Sequence, residues 1–166
     1  FISEGLGWLV KTINIRNMME KTLRYPGHIE KIKLLRDSGF FSKEPLEIAG
    51  QKISPIEFTS KILFPLWKLE KNEEEFTIMR INIAGRENGR TVYYQYELFD
   101  KYDPDTEISS MARTTGYTAT AAANLVLEGK YSRKGIIPPE FIGEDEGSYD
   151  FIINYLQSRN VNITRH

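Results

Sequence analysis

The chain has 166 residues, 40% of them apolar and 27% charged, which is enough for one globular domain with its own core. Its 22 basic and 23 acidic side chains leave a net charge of −1, so no global field draws it to nucleic acid or acidic lipid. The lack of cysteine excludes disulfides, thiolate nucleophiles and cysteine-built zinc sites, and two histidines are too few for a histidine metal cluster.

The first ten residues, FISEGLGWLV, have no initiating Met and no basic signal-peptide region, and no apolar run approaches membrane length. These features lead to the expectation of a metal-free cytoplasmic chain excised from a longer protein. Residues 4–12 suggest a short helix weakened by Gly5 and Gly7. RNMMEKTLR, residues 16–24, suggests a strand. Pro26 follows, and Ile29, Ile32 and Leu35 then recur at near-helical spacing, with Gly39 placed to close that helix. Residues 54–68 predict another helix, with Ser54 as N-cap, Pro55 at the first position and Glu57 completing a capping box; Pro65 should end or kink it. Glu70 to Glu75 form a charge run suited to a solvated loop.

The clearest local signal is a hairpin over residues 76–100, turning at Asn88-Gly89. Met79, Ile81 and Ile83 share one face, and Val92, Tyr94, Tyr96 and Leu98 line one face of the return strand. Large apolar groups on the other face, Phe76, Ile78, Tyr93 and Phe99, imply a covering partner, and a homodimer joined through the sheet is expected. In ISSMARTTGYTATAAANLVLEG, Gly116 divides two helical stretches and Gly129 closes the second. KGIIPPEFIG reads as extended because of its tandem prolines. Residues 147–158 predict a final amphipathic helix, its start favoured by the acidic residues 144–146, and VNITRH a closing strand. Together these elements predict a single α+β domain over residues 1–166, with a mixed, largely antiparallel sheet and helices packed on one face.

Two clusters could bind an anion. At Arg24-Tyr25-Pro26-Gly27-His28 a helix N-terminus offers free N–H groups, and Arg24 adds a planar fork suited to a carboxylate. Gly27 lets a ligand approach the backbone, and His28 can act as donor, acceptor or base. The plain alternative is that Tyr25 and His28 cap the helix and pack on the sheet. Arg113, Thr114 and Thr115, ahead of Gly116, form the second cluster; its alternative is a helix whose threonines bond back to their own backbone. The Gly5-Leu6-Gly7 pair lacks the third glycine of a dinucleotide fingerprint, and no phosphate loop is present.

The segments EKTLRYPGHIEKIKLLRDSGFF and SMARTTGYTATAAANLVLEGKYSRKGIIPPEFIG, with the Asp100 loop between them, resemble the C-terminal domain of the saccharopine dehydrogenase family. The likeness runs from about residue 4 to 163. It implies a parent enzyme whose N-terminal Rossmann domain, absent here, binds NAD or NADP, and a reaction at the CH–NH group of a lysine-derived or related amino acid. It also implies that this domain binds the amino-acid substrate and dimerises. On that reading Arg24 or Arg113 holds the substrate carboxylate. Tyr25 and His28 orient the amino-acid end or relay a proton, with His28 the candidate catalytic group and Gly27 a further substrate-binding position, while Thr114 and Thr115 shape the wall at Arg113. The isolated chain is then expected to be inactive. A non-catalytic ligand-binding or assembly module is the alternative.

Overall fold

A computed structural model describes residues 7–71 and 73–166, and the chain divides into two compact units, residues 1–70 and 71–166. In the first unit, α1 spans Leu9–Thr12; the earlier part of the helix expected over residues 4–12, up to Leu6, lies outside the described residues. Residues 16–24 form no strand, contrary to expectation. A strand needs a neighbour to take its backbone hydrogen bonds, and this segment has none among the described residues; Met19 and Leu23 are 76% and 73% exposed.

Helix α2, His28–Asp37, follows Gly27, whose φ of +84° lies in the left-handed region that glycine occupies without penalty. At the far end Gly39 repeats that conformation, and the Phe40 N–H returns to the Leu35 carbonyl at 3.0 Å, closing the helix as its sequence suggested. A short hairpin then pairs β1, Leu46–Ile48, with β2, Gln51–Ile53. It turns at Ala49-Gly50, and sequence reasoning passed over it because alanine is a weak turn signal. Helix α3 spans Pro55–Trp67. Ser54 precedes it but its hydroxyl does not cap it: the Ile56 N–H is already taken by the Ser42 carbonyl at 3.0 Å. Pro65 is accommodated in the last turn, and the helix ends two residues later. Buried Thr59 ties α3 to the α2 side by donating to the Phe40 carbonyl at 3.0 Å.

The second unit is built on the expected hairpin. β3, Phe76–Glu87, and β4, Arg90–Lys101, pair without interruption from Glu87 opposite Arg90 to Phe76 opposite Lys101. Asn88 and Gly89 both have positive φ, +50° and +78°, as a type I′ turn requires. The register puts Met79 opposite Leu98 and Ile81 opposite Tyr96, so the apolar sets assigned to the two strands share a face. Helix α4, Ser110–Leu127, is one helix of 18 residues. The expected break at Gly116 does not occur, because a single glycine costs an α-helix only about 1 kcal/mol, less than the flanking helix contributes. The Ser109 hydroxyl caps its start by accepting the Ala112 N–H, and Gly129 (φ +69°) closes its end.

α5, Pro139–Gly143, corrects the fully extended reading of KGIIPPEFIG. Pro138 stays extended, while Pro139 takes the first helical position, where its missing N–H costs nothing. α6, Glu146–Gln157, starts where Asp145 accepts the Ser148 N–H at 2.9 Å. The closing strand β5, Ile163–Arg165, pairs antiparallel with β4 and completes the order β3-β4-β5. Leu98, Leu156 and Val161 form the core, with Met79, Tyr117, Ile152 and Ile163 packed against it. The fold is α+β, its sheets antiparallel throughout and α4 packed on the Met79–Leu98 face. Among the described residues no helix is long and apolar enough to cross a membrane.

Candidate functional site

The first candidate cluster lies in the first unit, at the entry to α2. The His28 N–H donates to the Tyr25 carbonyl at 3.1 Å, and the Lys31 N–H to the Gly27 carbonyl at 3.3 Å, so the chain turns tightly from Tyr25 into the helix. A Cβ on Gly27 would meet nothing within 4 Å; the glycine is needed here for its positive φ rather than for space. Arg24, Tyr25, Gly27 and His28 are all exposed on this one turn, Tyr25 to 77%. The Arg24 guanidinium donates to the Leu23 carbonyl at 2.9 Å and has no carboxylate partner among the described residues. The cluster therefore has an open fork, a phenol and an imidazole beside the positive end of a ten-residue helix.

The second cluster lies in the second unit, and its chemistry is different. Arg113 is not ahead of a helix but in the first turns of α4, and it is buried, 5% exposed. Its Nε and one terminal nitrogen each donate to Asp100 at 3.3 Å. The other terminal nitrogen donates to Asp103 at 2.6 Å, and the carbonyls of Arg159 and Asn160 accept at 3.1 and 3.5 Å. Thr114 bonds back to the Ser110 carbonyl at 2.9 Å, the local pattern weighed as the alternative, while Thr115 reaches the side-chain sulfur of Met111 at 3.9 Å.

Asp100 and Asp103, which hold Arg113, were not singled out from the sequence. The signal was present: two acidic residues three apart, in FDKYDPDTE, ten or more residues before a lone arginine. Asp103 also accepts the Thr106 hydroxyl at 2.9 Å and the Asp105 N–H at 3.0 Å. The Thr106 bond above all, with the Asp105 N–H and the Arg113 charge, holds its carboxyl below the usual aspartate value, against the opposing effect of burial.

Neither cluster resembles a dinucleotide site. Gly27 leads into α2 from a segment that forms no strand, and Gly50 and Gly89 turn between antiparallel strands, so among the described residues no glycine turn joins a strand to a helix N-terminus. Among the described residues no group of three acidic, histidine or cysteine side chains is arranged to hold a metal ion.

Comparison with known proteins places both units in one context. Residues 4–161 match the family described as the saccharopine dehydrogenase C-terminal domain. The chain is 27% identical over 121 residues to the carboxyaminopropylagmatine dehydrogenase of Synechocystis sp. (strain ATCC 27184 / PCC 6803 / Kazusa). That alignment covers 71% of this chain and 30% of the relative's length.

Proposed function

The chain belongs to the saccharopine dehydrogenase C-terminal domain family and so to an oxidoreductase context, and from that premise we propose that it is the substrate-binding and dimerisation part of an NAD(P)-dependent enzyme. The reaction proposed is at the CH–NH group of a lysine-derived or related amino acid. The family description implies an N-terminal partner domain, and the cofactor is assigned to that partner, since among the described residues no glycine turn joins a strand to a helix N-terminus. When bound there, the nicotinamide supplies the hydride chemistry.

This chain's part is to hold the amino acid. One observation carries the assignment: Arg24 is exposed on a tight turn with no carboxylate partner among the described residues. A guanidinium so placed binds a planar carboxylate through two parallel N–H bonds. Tyr25 and His28, on the same turn, are the groups proposed to orient the amine end. His28 is the candidate for proton transfer, since an imidazole nitrogen can both accept and give up a proton. Gly27 keeps the backbone accessible beside them. Arg113 leaves this proposal because its donors are occupied by Asp100, Asp103 and two carbonyls, and Thr114 and Thr115 leave it with Arg113 because their hydroxyls turn back on α4.

The dimerisation role rests on the sheet face turned away from Met79 and Leu98. Phe76 and Phe99 stack there at 5.8 Å, and Ile78 and Tyr93 are more than half exposed. The function is tested by following nicotinamide absorbance in the full-length parent enzyme with saccharopine, lysine and carboxyalkyl amines as substrates. Turnover with a member of this panel and either NAD or NADP is expected. No turnover with any of them would remove the reading.

A further inference from the structure

We infer that Arg113 couples the loop over residues 102–109 to the turn that launches β5, so that a change confined to the loop loosens the strand. The loop and the turn are joined by one planar group. On the loop side, Asp103 takes one terminal nitrogen of Arg113 at 2.6 Å, while its carboxylate is steadied by Thr106 and Asp105. The loop is closed at its base by the Asp103 N–H donating to the Ile108 carbonyl at 3.0 Å. On the turn side, the other terminal nitrogen reaches the carbonyls of Arg159 and Asn160, 46 and 47 residues away in sequence.

That turn closes α6 with a residue in the left-handed region. Asn160 adopts a left-handed backbone, φ +59°, and the Val161 N–H returns to the Leu156 carbonyl at 3.0 Å to close α6. β5 follows at once and pairs with β4 through Ile163, Thr164 and Arg165, with His166 and Gln95 exchanging backbone bonds at 2.8 and 3.3 Å just beyond. A three-residue edge strand opens readily on its own. Its stability therefore depends in part on how firmly the preceding turn is fixed, and Arg113 reaches that turn as a donor from another element, beside Val161, which anchors it in the core. A guanidinium moves as a rigid plane. If Asp103 releases one terminal nitrogen, the plane is held by Asp100 alone, through Nε and the terminal nitrogen that also serves the two carbonyls, and the bonds to those carbonyls loosen with it. The link is thus the single rigid group shared by both segments, and it does not require them to touch.

Amide hydrogen exchange followed by mass spectrometry on the full-length protein tests this. Asp103→Ala should raise exchange over residues 159–165 by about tenfold or more, alongside the loop, and leave residues 118–125 of α4 unchanged. Arg113→Lys should do the same, and the double variant should add little to either single change. Thr106→Val removes only one support of Asp103 and should move both segments by a smaller factor; it decides the matter if Asp103→Ala fails to fold. Faster exchange in the loop with residues 159–165 unchanged would overturn the inference. So would a uniform rise that includes α4, because that reports general destabilisation and not a link.

Discussion

Arg113 and Asp100 face each other at 3.3 Å with side chains only 6% and 5% exposed, the most deeply buried ion pair among the described residues. Two charges withdrawn from water gain little as a pair compared with apolar packing, but removing one partner strands the other. Arg113→Ala is therefore expected to cost roughly 3–5 kcal/mol, and Arg113→Lys less, since it keeps the charge while losing the fork. Urea melts of the wild type and both variants check this. Equal stability of Arg113→Ala and wild type would mean that the pair is not held as described.

Gly116 offers a test of opposite sign. It lies inside α4, and a Cβ built there meets no atom within 4 Å. Gly116→Ala is expected to stabilise by about 0.5–1 kcal/mol, by restricting the unfolded chain and favouring the helix. Gly89→Ala, at φ +78° in the β3–β4 turn, should destabilise by about 1–2 kcal/mol. Melting temperatures moving in opposite directions are the expected readout.

Much of this architecture was legible in the sequence, and the failures have physical causes. The β3–β4 hairpin was readable because Asn88-Gly89 is a strong local signal flanked by alternating residues whose register follows from the turn. Ser109 and Asp145 cap their helices through local bonds, which short spacing reveals for Asp145. Residues 16–24 show the limit: the segment reads as strand-like, but pairing is a property of a neighbour and not of the segment. Gly116 and Pro139 were over-read as breakers, since tertiary packing tolerates the first and a helix start welcomes the second. At the candidate site, the turn at Gly27 was legible from Pro-Gly alone. The role of Arg113 was not, because its partners come from residues 100, 103, 159 and 160, which only the folded chain brings together.

Acid should weaken the second unit through Asp103. Its carboxyl is held below the ordinary 3.8, first by the Thr106 hydroxyl, then by the Asp105 N–H and Arg113. A folded-state pKa below the unfolded one means that the unfolded chain binds more protons in between. The contribution is thus complete above the unfolded value and is lost as pH falls through the folded one. The stability difference between wild type and Thr106→Val is expected to be constant from neutral pH down to about pH 5 and to shrink below about pH 4. Urea midpoints across that range supply the measurement. A difference that grows on acidification would contradict the assignment.

Self-association is expected from the exposed sheet face. Sedimentation of the 166-residue chain at micromolar concentration should give a dimer, and placing charge at the aromatic end, as Phe99→Glu, should shift it to monomer. Phe99 is 59% exposed and lies opposite Ile78, so this substitution leaves the Leu98 core untouched. A wild-type chain that stays monomeric as concentration rises would remove the dimer role.

If the turn at Arg24 holds the carboxylate of an amino-acid substrate, steady-state kinetics of Arg24→Ala in the full-length parent enzyme will show it. Loss of a charge-assisted pair costs roughly 1.5–3 kcal/mol, so kcat/KM for the amino acid should fall about ten- to a hundredfold. The KM for the nicotinamide cofactor and the melting temperature should stay at their wild-type values. An unchanged kcat/KM for the amino acid, or a fall matched by a collapsed melting curve, would contradict the assignment of Arg24 to substrate binding.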